Sequence, residues 1–146
     1  MELNVIQVRE VTGPLLDAFA RLMPQLAPQL AAPPAARLRE IVASPGTALF
    51  AAEGGGRIWG LLTLVWYDVA SGRKAWIEDV VVDAEARGTG AGRALVAAAL
   101  EHAGAIGAGK VLLTSNPARE AARALYRKMG FEEAATTVFA IKTDAK

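Results

Sequence analysis

The sequence predicts an α/β protein of the α+β kind, in which a mixed, mostly antiparallel sheet is flanked by helices. Three observations predict it. Hydrophobic periodicity alternates between two and 3.6 along the chain in the order β-α-α-β-β-β-α-β-α-β-β. The run Val80-Val81-Val82 has no polar alternation, as in a strand buried on both faces. Between that strand and the next helix lies a glycine-rich loop, Arg87-Gly88-Thr89-Gly90-Ala91-Gly92-Arg93. The 146 residues fit one domain, taken as 1–146.

Asn4 to Val8 alternates as a first strand. Thr12-Gly13-Pro14 stops it and caps a helix that carries Leu15, Phe19, Leu22, Met23 and Leu26 on one face. Pro24 and Pro28 end or bend that helix. Pro33-Pro34 opens a short helix, Ala35 to Ala43. In many small enzymes a segment like this one covers the acceptor site. Thr47–Glu53 and Ile58–Tyr67 read as a hairpin around Gly54-Gly55-Gly56. That glycine triplet lacks the lysine and the serine or threonine of a phosphate loop, so it reads as a turn. Ser71-Gly72 turns the chain into Ala75–Val82. After the loop a helix spans about Gly90 to Ala103, and Gly104 and Gly107 end it. His102, the single histidine, is expected to be solvated near the negative end of this helix. Lys110–Thr114 is a strand and Ala118–Met129 a helix ended by Gly130. Phe131–Glu133 and Thr136–Lys142 read as a final hairpin.

Composition narrows the function. A net charge of +1 with 21% charged residues argues against nucleic-acid binding by bulk electrostatics. The absence of cysteine excludes disulfides, thiolate metal sites and cysteine nucleophiles; no metal is expected. The N-terminal stretch does not read as a signal peptide, and no apolar run approaches the ~18 residues of a membrane span. The expectation is a soluble cytoplasmic protein with no membrane or nucleic-acid partner.

The loop carries the chemistry. Glycines let the backbone turn tightly and approach a ligand, so that successive N–H groups point into one concavity. A helix N-terminus and two arginines add positive charge, which together favour a diphosphate. A dinucleotide loop needs GxGxxG, but its third position falls on Arg93 or Leu95. The pattern that fits is R-x-x-G-x-G, at Arg87, Gly90 and Gly92.

This strand, loop and helix resemble the acyl-CoA site of the GNAT N-acetyltransferase superfamily. A second match lies downstream, where Ala122 to Phe131 resembles A-x-x-L-Y-x-x-x-G-F. The resemblance implies a GNAT-like sheet whose central parallel strands splay apart. It implies acetyl-CoA as co-substrate, with Val80, Val81 and Val82 offering backbone groups to its pantetheine arm. Gly88, Thr89, Gly90, Ala91, Gly92 and the flanking Arg87 and Arg93 would cradle the pyrophosphate. Ser115, Asn116 and Arg119 are weaker cofactor contacts. The family often has asparagine seven residues before the tyrosine, where this chain has Arg119.

Catalysis is assigned to Glu78, Asp79 and Tyr126. Tyr126 stands at the family's tyrosine and would protonate the departing thiolate. An alkyl amine, with pKa near ~10, must lose a proton to attack, and Glu78 is the candidate base. Period two sends Glu78 and Asp79 to opposite faces, but a bulge could bring both into one site. The backbone N–H of Val80 is the candidate oxyanion donor. The resemblance thus implies transfer of acetyl from sulfur directly to a primary amine of a polyamine, amino acid or amino sugar. The alternatives are a protein N-terminal or lysine acetyltransferase, and a non-catalytic CoA-binding module. Dimers are common among similar proteins, so a homodimer is the oligomer the resemblance allows.

Overall fold

A computed structural model describes residues 2–145. Residues up to Leu113 make one compact unit and those from Thr114 make a second. In the first unit the order is β1 (Asn4–Gln7), α1 (Gly13–Leu26), α2 (Ala35–Ala43), β2 (Thr47–Gly54), β3 (Arg57–Val69), β4 (Gly72–Val82), α3 (Ala91–Ala105) and β5 (Lys110–Leu112). The five strands form one sheet in sequence order. Pairing is antiparallel except between β4 and β5.

Local chemistry sets most boundaries. The Thr12 hydroxyl accepts from the Leu15 N–H at 3.3 Å and caps α1. Pro24 sits inside α1, which continues to Leu26. The turn between β2 and β3 uses Gly55 at φ +60° and Gly56 at φ +78°, the two left-handed residues that a tight hairpin turn demands.

One sheet face packs on α1 and α2 through Leu15, Phe19, Leu22, Leu38, Leu49, Leu61 and Val81. The other packs on α3, whose Leu95 and Val96 are fully buried and stabilise by ~1.5–3 kcal/mol each. Gly60 lies on this second face; a Cβ there would stand 3.0 Å from Leu95 Cδ1 and 3.2 Å from the Val81 carbonyl oxygen. His102 is not solvated. Its ring is half-buried, 5.3 Å from Trp66 and 5.7 Å from Phe50 between ring centroids. The helix position faces the sheet, so the imidazole serves as packing surface.

In the second unit α4 spans Glu120–Lys128. It ends at Gly130, φ +100°, which turns the chain so that Phe131 N–H bonds the Tyr126 carbonyl at 3.0 Å. The two rings then meet edge to face at 5.9 Å.

The expected final hairpin does not form. Phe131–Glu133 and Thr136–Lys142 make no strand, and Phe139 and Ile141 are 92% and 91% exposed. Ala134-Ala135 would have to supply its two-residue turn, and alanine disfavours the positive φ such a turn requires. Among the described residues β5 is therefore an edge strand, and the parallel pair lies at the side of the sheet instead of its centre.

Candidate active site

The site is built where β4 leaves its neighbours. β5 pairs only with Lys74, Ala75 and Trp76 of β4. From Ile77 to Val82 the β5-facing edge of β4 has no strand partner among the described residues. This is the opening that the splay expectation requires, and Val80, Val81 and Val82 lie along it. An extended ligand can add to such an edge through main-chain bonds.

β4 is bulged at the carboxylates. Leu61 pairs with Val81 and Thr63 with Glu78, so Leu62 faces two residues, Asp79 and Val80. Asp79 takes φ +50°, the only non-glycine in the left-handed region among the described residues. The extra residue shifts the alternation. Glu78 shares a face with Thr63, and Asp79 lines a cavity with Thr63, Leu61 and Val81. Two adjacent carboxylates thus open onto one side. Desolvation pushes the Glu78 carboxyl above its ordinary value, and the charge of Asp79 adds to the rise.

Beyond β4 a single 3-10 turn, Ala84–Ala86, leads into the glycine loop. Gly88 and Gly90 adopt φ +79° and +87°, and a Cβ on either would enter open space. Among the described residues the N–H groups of Gly88, Gly90, Ala91, Gly92 and Arg93 meet no protein acceptor. Thr89 is held differently, its N–H and hydroxyl both bonding the Ala86 carbonyl. Arg87 and Arg93 are exposed and in no ion pair among the described residues. Free donors, a helix N-terminus and two unpaired guanidinium groups suit a diphosphate.

Asp83 anchors this loop. It is 3% exposed. Arg21 on α1 bonds its carboxylate at 2.6 Å and the Ile58 carbonyl at 2.9 Å, and the Glu85 N–H adds a bond at 3.0 Å. Burial pushes the Asp83 carboxyl up, but the bonds from Glu85 and Arg21 outweigh it and hold the pKa below the ordinary value. Asp83 belongs to none of the motifs that mark the site in the sequence; its one local cue is an acidic residue capping the turn before the glycine loop.

A cavity of about 230 Å3 opens beside Asp79. Phe19 and Met23 of α1, Pro33, and Arg37 and Ile41 of α2 wall it against Leu49, Leu61, Thr63 and Val81. The two helices and their proline-rich connection thus line this cavity.

In the second unit, the Asn116 side chain accepts from the Ala118 N–H at 2.9 Å and so holds a turn, while Arg119 precedes α4 at its N-cap position with no side-chain capping bond. Ser115 is half-buried in the same connection. Tyr126 lies on α4, where burial pushes its hydroxyl up and the charge of Arg119 partly opposes the rise. It stays protonated across the neutral range.

The description "Acetyltransferase (GNAT) family" matches residues 15–131. The chain belongs to that family. An acetyltransferase of Trypanosoma brucei is 26% identical, with 97% of this chain and all of that one covered at a TM-score of 0.77. An aminoglycoside acetyltransferase from an uncultured soil metagenomic sample is 24% identical, with 99% and 100% covered at 0.85. AAC(6')-Iy, in complex with a bisubstrate analogue of CoA and acetylneamine, is 21% identical, with 98% and 99% covered at 0.78. These last two likenesses show the fold. No curated protein matches the chain. Members of this family are acyl-CoA-dependent acetyltransferases, and no helix among the described residues is long and apolar enough to cross a membrane.

Proposed function

We propose that this protein moves an acetyl group from acetyl-CoA directly to the primary amine of a small molecule. The observation that carries the reading is the bulge at Asp79, which sets two carboxylates on one side of a strand whose other edge is open. The five free N–H groups from Gly88 to Arg93 and the guanidinium groups of Arg87 and Arg93 would hold the pyrophosphate. The open edge at Val80–Val82 would pair with the pantetheine arm. When bound, the thioester supplies an activated acetyl carbon.

Glu78 would take a proton from the acceptor's ammonium, so that the neutral amine can attack, a role its raised pKa suits. The Val80 N–H would face the oxyanion of the tetrahedral intermediate. The carbon–nitrogen bond forms as that intermediate is made; as it collapses and the carbon–sulfur bond breaks, Tyr126 would give its proton to the departing thiolate and be reprotonated by the second proton that the nitrogen loses. Ser115, Asn116 and Arg119 are further candidate contacts for the cofactor.

The size of the cavity supports a small acceptor over a peptide, which needs an open groove. The test is incubation with acetyl-CoA and a panel of amines, read by release of free thiol, alongside calorimetric titration with CoA. Turnover with at least one amine is expected. Tight CoA binding with no thiol released by any amine would leave only a CoA-binding module.

A further inference from the structure

The cavity beside Asp79 is lined by two charges of opposite sign, Asp79 and Arg37, and is otherwise largely apolar. We propose that it selects a free amino acid with an aliphatic or thioether side chain as the acceptor. The inference rests on the acetyltransferase reading above and names the acceptor within it.

Size comes first. A cavity of about 230 Å3 is below the ~300–1,000 Å3 of pockets for drug-sized ligands, which leaves room for a molecule of amino-acid dimensions. The walls come next. Phe19, Met23, Ile41 and Val81 offer hydrocarbon and sulfur, and beside the two charges the Thr63 hydroxyl is the one polar side chain in the wall, too little to match a second amine or a ring of hydroxyls. A polyamine or an aminoglycoside would have to desolvate such groups there without compensation.

The charges decide the rest. Among the described residues Asp79 has no ion pair, and Arg37 pairs only with Glu40, at 3.3 Å, with both side chains more than 60% exposed. A surface pair of that kind holds its members weakly. The guanidinium is free to turn to a ligand, and its planar fork matches a carboxylate. An ammonium suits Asp79. A zwitterion satisfies both groups together, and its apolar side chain covers the wall between them. The backbone of Asp79 supports this assignment, because a non-glycine at φ +50° is a strained conformation of the kind found at ligand sites.

The experiment measures thiol release for leucine and methionine, their carboxamides, putrescine and kanamycin, with the wild type and with R37Q and R37E. Wild-type kcat/KM is expected to be at least tenfold higher for each acid than for its carboxamide. R37Q should pull that ratio toward one, mainly through KM for the acid, and R37E should invert it in favour of the carboxamide. A wild type that uses the carboxamide or putrescine as well as the acid overturns the proposal, whatever the variants do. So does an R37Q that lowers acid and carboxamide in proportion. Turnover of putrescine or kanamycin alone would sink the amino-acid acceptor and leave the acetyltransferase reading standing. CoA binding with no turnover of any amine would sink both.

Discussion

Gly88 and Gly56 allow backbone strain to be separated from ligand contact. They have nearly equal φ, +79° and +78°, and a Cβ on either meets nothing within 4 Å. Alanine at either position should therefore cost about the same, ~1 kcal/mol for a left-handed L-residue. With a urea slope of ~1–3 kcal/mol/M, each midpoint should fall by ~0.3–1 M. The two positions differ in what lies over them. Gly56 is in the β2–β3 turn, and Gly88 begins the row of free N–H groups. A methyl at 88 enters the space where a diphosphate must approach the backbone. A tenfold loss of CoA affinity is the smallest effect expected. At a CoA concentration 100 times the wild-type Kd, ligand should add ~2.7 kcal/mol to the wild type and to G56A. The same concentration is only ten times the Kd of such a G88A, which should gain about 1.4 kcal/mol. Paired urea melts with and without CoA read both numbers. If G88A gains as much from CoA as G56A, the loop is not the diphosphate site.

Glu78→Gln should lower kcat by ~10²–10⁴ and abolish the acidic limb of the pH profile. Because the folded-state pKa of Glu78 is raised, its ionisation removes stability as pH rises through the window above the ordinary carboxylate value; E78Q should therefore melt higher than wild type at pH 7. Asp79→Asn removes the like charge and should move the acidic limb of kcat/KM to lower pH. Tyr126→Phe should reduce kcat by about 10²-fold with little change in CoA affinity, measured by steady-state kinetics and calorimetry. Asp83→Asn should cost about 3 kcal/mol in urea melts, the low end for breaking a buried ion pair because Arg21 keeps contact with water. The pKa of Asp83 is depressed, so its contribution is present above the ordinary carboxylate value and lost as pH falls through the folded pKa. Gly60→Ala should destabilise by ~1–3 kcal/mol, since its Cβ would press on Leu95 and the Val81 carbonyl.

What was legible in the sequence is what short-range physics fixes. The bounds of α2, the Thr12 cap and the Gly55-Gly56 turn follow from residues within a few positions of one another. The R-x-x-G-x-G loop is legible for the same reason, since its left-handed glycines and free N–H groups belong to contiguous backbone. Features that depend on distant partners were not legible. Arg21 and Asp83 are 62 positions apart, and the cavity draws on α1, α2, β2, β3 and β4. Arg37 gives no local sign of facing Asp79's cavity. His102 looked like a solvated helix end because periodicity alone does not reveal Trp66 and Phe50 on the strands beneath it. The final hairpin failed on a pairing question: an apolar alternation fits a strand only if another strand and a workable turn meet it.

The bulge at Asp79 resolves a conflict that an ideal strand cannot. β4 must bury Ile77 against the α3 face and Val81 against the α1–α2 face, which are four positions apart and on opposite sides. With strict period two, residues 77 and 81 would share a face. One extra residue changes the parity. The same insertion places Glu78 and Asp79 on one side, where period two would have divided them. Packing and chemistry therefore make the same demand on the backbone at one position. An Asp79→Gly substitution relieves the left-handed strain, keeps the parity change and removes the second carboxylate. If the bulge serves both purposes, D79G should fold at least as stably as wild type and lose acceptor recognition, seen as a raised KM for the amine with CoA affinity intact. A D79G that is destabilised would mean that its carboxylate, and not the parity change, holds β4 in place.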